Sequence, residues 1–425
     1  MTTSSLVGGR DRRSLVSSGL LALGLSVALA AGAEGQRRNQ RPAPKDTMPS
    51  LEVYGFGQAD VGYDFKRTDP NWFDVNRPSK LPAFEDQFGA NGNTFIGARQ
   101  SRFGVKGWLP TSNGDVFAMF EFDMFGVGPD AGQTTIRLRH AYGQWKQIGA
   151  GQTNSQFMDV DVFPNILDYW GPNGMLFFRN AQVYWRPLDD DKRQLTFALE
   201  RPGATGDQGR FADRIELSEI IPHFPAPDVT GGFKYGGKWG YAKLGGAFRY
   251  IGWKDVLPDT FDFSDHVIGW GASLSSNLYF REKKDIARLQ LIYGHGIENY
   301  FNDAPVDVGA EHDFDDPREP LKGKALPIFG AVAYLDHTWN SELTSAIGWS
   351  MVNITNSDAQ AEDAFHNGQY ASANVLWTPV KNVMMGGEFQ WGRRANFADD
   401  WRFNDYRLHF AFKYSFSQHF GVKRD

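Results

Sequence analysis

The sequence predicts an all-β protein, a transmembrane antiparallel β-barrel of about 16 strands. The clearest observation is the segment Tyr406–Phe416, where large apolar residues occupy every second position. Arg407, His409 and Lys413 lie among the positions between them. A period of two places the apolar side chains on one face of a strand and the polar ones on the other. A barrel with lipid outside and water inside requires this arrangement.

A second observation is that similar alternating segments, separated by turn residues, fill residues 51–416, which we predict to be the barrel. Connections between them alternate between short (TSNG, LDDDK, REKK, PVKN) and long (66–93, 201–228, 298–326). This asymmetry predicts short periplasmic turns and long extracellular loops. The predicted strands are Leu51–Phe65, Thr94–Trp108, Asp115–Phe125, Thr134–Trp145, Ile148–Thr153, Phe177–Arg186, Gln194–Glu200, Thr230–Tyr235, Tyr241–Ile251, Val267–Tyr279, Asp285–His295, Ile328–Thr338, Leu343–Val352, Gln369–Trp377, Val383–Gly392 and Tyr406–Phe416.

The segments on either side of the barrel indicate export. Residues 1–33 are predicted to be a signal peptide, with basic residues near the start, an apolar run at Leu20–Ala31 and a small-residue cleavage site at Ala31-Gly32-Ala33. The alternative, an uncleaved membrane anchor, is disfavoured because the run is shorter than the roughly 20 residues that a span needs. Residues 34–50 are predicted to be a periplasmic linker and residues 417–425 a C-terminal extension. The predicted location is therefore the bacterial outer membrane.

The composition excludes several classes of function. Lys and Arg number 44 against 50 Asp and Glu, for a net charge of −6, and this acidic total argues against nucleic acid as a partner. The absence of Cys excludes disulfides, thiolate metal sites and Cys nucleophiles. An aromatic content of 15% and 47 glycines suit a barrel, which uses aromatic girdles and tight turns.

Cations are predicted to lie on the lumenal face of several strands, opposite the apolar residues. Such cations concentrate anions and lower the barrier to their passage, and the planar guanidinium of Arg binds carboxylates through two parallel hydrogen bonds. The alternative is that these cations only solvate the wall or pair with Glu121, Asp123 and Glu388. The predicted pore-lining residues are Arg102, Lys106, Arg137, Arg139, Arg249, Arg288, Arg394 and Arg407.

The segment Met158–Gly171 lacks alternation and mixes carboxylates with bulky apolar residues. We predict that it folds into the barrel as a constriction loop and sets Asp159, Asp161 and Asp168 against the arginines. The resulting transverse field would select small polar molecules by their orientation. The alternative is an external loop that packs on its neighbours.

No metal, cofactor or catalytic site is predicted. The acidic stretch Asp307–Glu319 contains oxygen ligands of the kind that calcium prefers, but a solvated surface loop explains it better. The nine His residues show no metal-ligand spacing. Motifs for a nucleophilic Ser, a P-loop or a dinucleotide site are missing from the required strand–turn–helix context. We therefore do not expect an enzyme.

Several motifs carry a family resemblance. ARQSRFG, FEFD, IRLRHAYGQ and AGQTNSQFMD lie between Ala98 and Asp159, LDYWGPNG begins at Leu167, and NVLWTP and GGEFQWGRR lie between Asn374 and Arg394. The chain resembles the DcaP-type trimeric outer-membrane porins, which are related to phosphate-selective porins. The resemblance implies a homotrimer of 16-stranded barrels that admits small anions, including dicarboxylates, and places Arg102, Arg137 and Arg139 in the pore-lining set. The family's N-terminal heptad helix has no counterpart in the proline-containing residues 37–50.

Together these observations predict an outer-membrane porin for passive diffusion of small anionic solutes such as dicarboxylates through an arginine-lined pore. Its other expected partners are outer-membrane lipid and further copies of the chain in a homotrimer. The alternative is a structural or adhesive outer-membrane barrel with a blocked lumen and ligand-binding loops.

Overall fold

The computed structural model describes residues 48–315 and 319–421, and these residues form a closed antiparallel barrel. Closure joins the first and last strands, β1 (Ser50–Asp64) and β21 (Arg402–Phe420). Their register runs without interruption from Leu51 opposite Phe420 to Asp64 opposite Arg407. The predicted all-β barrel is confirmed.

The barrel wall contains 16 antiparallel strands, as predicted. One wall strand is split: β2 pairs with Asp60–Asp64 of β1, and β3 pairs with Ser50–Phe56. The strands between β1 and β21 are β2 (Asn93–Gly97), β3 (Arg102–Leu109), β4 (Val116–Phe125), β5 (Thr134–Trp145), β6 (Ile148–Asn154), β7 (Arg179–Asp189), β8 (Arg193–Glu200), β9 (Gly206–Asp207), β10 (Ile220–His223), β11 (Asp228–Gly237), β12 (Gly240–Asp255), β13 (Asp265–Phe280), β14 (Asp285–His295), β15 (Val308–His312), β16 (Leu321–Ala325), β17 (Pro327–Thr338), β18 (Leu343–Ile354), β19 (Phe365–Val380) and β20 (Val383–Asn396).

The long loops carry the remaining secondary structure. Strands β9, β15 and β16 form a separate three-stranded sheet, and β10 adds to the extracellular end of β12. Across the described ranges no α-helix is present, and no helix there is long and apolar enough to cross a membrane. Short 3-10 helices are found at Pro70–Trp72, Pro78–Lys80, Gly128–Asp130, Val160–Val162, Gly209–Phe211, Ile215–Leu217, Arg281–Lys283 and Glu298–Tyr300.

Strand β21 shows the two faces of the wall. Its outward residues Leu408, Phe410 and Phe412 are 37%, 55% and 50% exposed, whereas the inward residues Arg407 and His409 are buried. The period of two therefore separates the lipid-facing side from the lumenal side, as predicted from the sequence.

Two of the predicted segment boundaries lie near the ends of the chain. Strand β21 continues to Phe420, four residues into the predicted C-terminal extension, and residues 422–425 lie outside the described residues. The predicted signal peptide, residues 1–33, and residues 34–47 of the predicted linker also lie outside them.

Candidate functional site

The connection between β6 and β7, residues 155–178, enters the lumen and is called the crossing loop here. Its backbone is fixed to the wall by polar side chains. The N–H groups of Leu167 and Asp168 donate to the carboxylate of Glu388 on β20, at 2.9 and 3.1 Å. Arg288 on β14 donates to the carbonyl of Asp161 at 2.6 Å. The loop is thus bound to two separate parts of the wall.

Apolar contacts hold the same loop against one side of the lumen. Phe157 and Leu176 belong to a buried cluster with Ile292 on β14. Val162 and Met175 pack with tyrosines of β17 and β19 in a second cluster. Because these residues are almost fully buried, the crossing loop is a packed layer on the β12–β20 side.

Cations gather on the other side of the lumen, where the crossing loop meets β4 and β5. Arg137 on β5 binds Asp123 on β4 through two hydrogen bonds, from Nε at 3.0 Å and from Nη2 at 2.7 Å. The hydroxyl of Tyr169, from the crossing loop, contacts Asp123, Arg137 and Arg139. Tyr169 also stacks on Phe125 with ring centroids 4.5 Å apart. These contacts join the loop to the arginines.

Arg139 is the most completely paired of these cations. Its Nε lies 2.6 Å from Glu121 Oε1, and its Nη1 lies 2.9 Å from Asp123 Oδ2. Its side chain is only 3% exposed. Tyr54 on β1 donates to the other oxygen of Glu121 at 2.7 Å. Arg139 therefore neutralises buried carboxylates and supports the wall.

Three further cations are less completely paired. Arg102 lies 3.7 Å from Glu121, and its guanidinium also lies over the Phe56 ring, 5.2 Å from the centroid. Lys413 approaches the same ring at 4.2 Å, and no carboxylate of the described residues lies within ion-pair distance of it. Arg179 packs over Phe177, within electrostatic range of Arg137 and Asp123 but without a direct carboxylate partner in the described chain.

The cation cluster is defined as Arg102, Arg137, Arg139, Arg179 and Lys413. Glu121 and Asp123 are the only carboxylates of the described residues that pair directly with it. Five positive charges therefore face two negative ones, an excess of three. Arg102, Arg137, Arg179 and Lys413 keep partial exposure, so solvent in the lumen reaches them.

The other cations predicted from the sequence lie inside the barrel but are engaged elsewhere, and their pore-lining role stays a prediction. Each is buried, and each binds a carboxylate or a loop carbonyl in place of a solute. The pairs are Lys106 with Glu52 at 3.1 Å, Arg249 with Asp228 at 3.0 Å and Asp307 at 2.9 Å, Arg288 with Asp336 at 2.6 Å, Arg394 with the carbonyl of Ser79 at 3.1 Å, and Arg407 with Asp64 at 3.0 Å.

The three predicted loop aspartates lie in the crossing loop, but the wall supplies the carboxylates that pair with the arginines. Asp159 accepts from Ser275 at 2.6 Å, and Asp161 pairs with Lys234. Asp159 and Asp168 also accept backbone N–H groups of their own turns, from Asp161 at 3.2 Å and from Trp170 at 3.1 Å, so these two side chains stabilise the fold of the loop.

Strand alternation did not identify Arg179. Its neighbours Ala181 and Val183 are exposed on the outer face, and Arg179 shares their parity. The side chain nevertheless turns inward over Phe177, because β7 only begins at Arg179. Lys413 has lumenal parity and was placed inside from the sequence, but only the structure shows that no carboxylate of the described residues pairs with it.

One cavity lies beside the crossing loop, and another lies under the extracellular loops. The larger, about 490 Å³, is called the periplasmic cavity because the turns around Asp190–Arg193 and Gly236–Gly240 line it together with residues 153–161. The smaller, about 180 Å³, lies under the extracellular loops near Asp207 and Arg394. No group of three or more His, Asp or Glu in the described part of the chain is arranged to hold a metal ion.

Comparisons with known proteins agree with this architecture. Residues 22–230 match the family described as DcaP outer membrane protein. The crystal structure of the outer membrane channel DcaP of Acinetobacter baumannii is 20% identical, with 88% of this chain and 99% of that chain covered and a TM-score of 0.71. None of the curated proteins matches the chain.

Two other solved barrels share the fold at lower similarity. The anion-selective porin from Comamonas acidovorans is 10% identical, with 87% of this chain and 100% of that chain covered and a TM-score of 0.54. OmpT of Vibrio cholerae is also 10% identical, with 88% of this chain and 100% of that chain covered and a TM-score of 0.52. At these identities the similarity establishes the barrel fold alone.

Proposed function

Because the chain belongs to the DcaP outer membrane protein family and lies in the bacterial outer membrane, we propose that it is a passive porin that prefers small anions. The observation that carries the proposal is the cation cluster, with its excess of three positive charges where the crossing loop approaches β4 and β5. A surplus of one sign in a narrow, low-dielectric passage attracts ions of the opposite sign and repels the others.

The chemistry of the cluster favours carboxylates. Arg102 and Arg137 keep 11% and 14% of their side chains exposed, so their guanidinium groups remain accessible to a solute. A carboxylate passing them exchanges water for charge-assisted hydrogen bonds, which lowers its desolvation cost. Arg179 and Lys413 provide charges that no carboxylate of the described wall neutralises directly. Dicarboxylates suit this arrangement because two acidic groups can contact separate cations of the cluster.

A solved neighbour of the same fold supports the general class. The Comamonas barrel is described as an anion-selective porin. A barrel of this architecture can therefore conduct anions, and the cation cluster gives this chain a physical basis for the same preference.

The test is the reversal potential of the purified protein in a planar bilayer under a KCl gradient. We expect an anion-preferring potential for the unmodified protein. Replacing Arg179 and Lys413 together with Gln should lower the chloride-to-potassium permeability ratio several-fold, because it removes two of the three excess charges. The double variant Lys284→Gln/Lys381→Gln, which removes two exposed charges from periplasmic turns, should change the ratio little.

Each contrary result has a defined meaning. Cation preference of the unmodified protein would refute the anion preference while leaving a porin. An unchanged ratio in Arg179→Gln/Lys413→Gln would reject the cation cluster as its source. Absence of conductance across many insertions would favour the alternative function, a structural or adhesive barrel whose lumen is closed by the crossing loop.

We further propose that the barrel assembles as a homotrimer. On the outer surface, the ring centroid of Phe103 on β3 lies 5.6 Å from that of Phe122 on β4 and 6.4 Å from that of Phe416 on β21. Such an aromatic surface can pack on a second copy as well as on lipid. Light scattering of the detergent-solubilised protein should give three chains per particle, and a monomeric mass would contradict the assembly.

A further inference from the structure

The periplasmic cavity carries a surplus of positive charge that the cation cluster does not account for. Its lining contains six Lys and Arg side chains and only four Asp side chains. Crossing-loop residues in the range 155–161 and the turns around Asp190–Arg193 and Gly236–Gly240 line it, which places it on the periplasmic side of the crossing loop. Its volume of about 490 Å³ is large enough for a small organic anion with part of its water shell.

Two lysines in this cavity are placed directly beside each other. Lys234 on β11 and Lys243 on β12 are cross-strand partners, and both side chains line the cavity. Like charges directly opposite in an antiparallel pair repel and destabilise the sheet. Within the described residues, the only carboxylate paired with either lysine is Asp161, which contacts Lys234. Lys243 donates to the carbonyl of Met158.

A third cation, Arg186 on β7, completes the group. Its side chain is 6% exposed and Nε donates to Thr196 at 3.2 Å, whereas Nη1 has no hydrogen-bond acceptor among the described residues. The nearest carboxylate oxygen, from Asp189, lies 3.6 Å from Nη1. Arg186 is close enough to Lys243 for the two charges to repel each other. A buried guanidinium N–H without an acceptor is costly, so an incoming anion oxygen would stabilise it.

Of the four aspartates of the lining, Asp161 pairs with Lys234, and Asp159 lies within electrostatic range of both Lys234 and Lys243. Asp159 accepts from Ser275 at 2.6 Å. At the rim, hydrogen bonds from the Arg193 side chain and the backbone N–H groups of Lys192 and Arg193 lower the pKa of Asp190 to about 2. Asp190 and Arg193 therefore neutralise each other at the mouth of the cavity, away from Lys234, Lys243 and Arg186.

We propose that the periplasmic cavity is a second anion-binding site, in which Lys234, Lys243 and Arg186 hold a carboxylate or phosphate group after it passes the crossing loop. The proposal rests on the proposed anion-conducting function and adds a discrete site to it. Hydrogen bonds at this site replace those that the solute made at the constriction. Passage of the solute therefore occurs in two shorter steps, from the constriction to the cavity and from the cavity to the periplasm. A weak second site thereby speeds release from the first.

The experiment measures block of single-channel chloride current by succinate or inorganic phosphate, added to one chamber at a time. Because the chain contains no Cys, Ser218→Cys in an exposed loop allows a bulky thiol reagent to identify the extracellular chamber. We expect Lys234→Gln/Lys243→Gln to weaken block from the periplasmic side at least fivefold. The anion concentration that gives half-block from the extracellular side should change less than twofold. The reversal potential should also change less than twofold. If the variant loses block by phosphate but keeps block by succinate, the site binds phosphate. If it loses block by succinate but keeps block by phosphate, the site binds carboxylates.

Two controls separate charge from structure. Lys234→Arg/Lys243→Arg keeps both charges and should retain block from the periplasmic side, and Lys284→Gln/Lys381→Gln should leave it unchanged. If Lys234→Gln/Lys243→Gln is blocked like the unmodified, anion-preferring protein, the second site is refuted while the porin function stands. If the unmodified protein shows no anion preference, the proposed function and this site both fail.

Discussion

Individual cations in this lumen differ in what they can do, because burial and pairing differ. Arg139 is buried and pairs with Glu121 and Asp123, so its charge is used within the wall. Arg179 and Lys413 have no direct carboxylate partner in the described chain, so their charge extends into the passage. Under the proposed function, burial and pairing separate a structural cation from one that contributes to selectivity, and sequence spacing alone does not reveal this difference.

This difference predicts opposite consequences for two substitutions. Arg139→Gln leaves two buried carboxylates short of a partner and should lower the free energy of unfolding by about 3–5 kcal/mol. Arg193→Gln removes a charge from an exposed turn pair, where 54% of the side chain is accessible, and should lower the free energy of unfolding far less than Arg139→Gln does. Thermal or denaturant unfolding in detergent measures both. Equal stability of the two variants would contradict the structural role of Arg139.

Glu298, in the loop after β14, gives a pH-dependent prediction. Burial, reinforced by the neighbouring Asp307, raises the pKa of Glu298 well above its usual range. A raised pKa favours the folded state below the unfolded pKa of about 4.3 and loses that contribution as pH rises toward the folded value. Glu298→Gln, which mimics the neutral acid, should therefore raise the unfolding temperature by a few degrees at pH 8.

The advantage of Glu298→Gln should shrink as pH falls toward 4.5, where the native carboxyl is itself protonated. Glu85→Gln, at an exposed loop position, should leave the unfolding temperature unchanged at both values. A variant that is equally stable or less stable than the native protein at pH 8 would show that Glu298 is ionised and stabilised in the fold.

At the scale of single elements, the crossing loop depends on close approach to the wall. Gly174 lies so near β18 that a Cβ atom there would be 1.9 Å from the carbonyl oxygen of Met351 and 2.9 Å from that of Ala331. Backbone carbonyls of a barrel cannot move aside without disturbing the sheet. Only glycine fits this position.

Gly174→Ala should therefore lift the crossing loop from β17 and β18, change the single-channel conductance and lower the unfolding temperature. Gly57→Ala is the matched control, since its added Cβ would meet no atom within 4 Å. Identical conductance and stability of the two variants would contradict the close packing of the loop.

The sequence predicted the position of this loop but little of its chemistry. The loss of alternation after β6 distinguished residues 158–171 from a strand, because the period of two reflects the two environments of a wall. The contacts of Tyr169 with Arg137 and Asp123 join residues distant along the chain, and no local pattern encodes them. The pairing of Lys234 with Lys243 depends likewise on the register of β11 and β12.

For the whole molecule, alternation and turn signals were enough to predict the barrel and its 16 wall strands. Each strand repeats the same two environments, so the signal recurs sixteen times along the chain. The small sheet of β9, β15 and β16 was not predicted, since its strands are two to five residues long and belong to irregular loops. Short strands bury too little surface to impose a periodic pattern.

The division into two faces gives the last prediction. Leu244, Leu274 and Leu291 lie side by side on the outer surface of β12, β13 and β14, and Leu274 is near the middle of its strand. An Arg at the bilayer midplane of a barrel costs about 2–4 kcal/mol because its charge must be placed in hydrocarbon. Leu274→Arg should therefore sharply reduce assembly in lipid vesicles.

The matched substitution Thr260→Arg, in the exposed loop between β12 and β13, introduces the same charge in water and should assemble normally. Assembly is measured by protection of the barrel from protease and by its unfolding free energy in lipid. Normal assembly of Leu274→Arg would mean that this face meets water or protein and not lipid. A defect confined to Leu274→Arg would show that the apolar positions of the period-two pattern face the hydrocarbon of the membrane, since the two variants differ only in where the charge is placed.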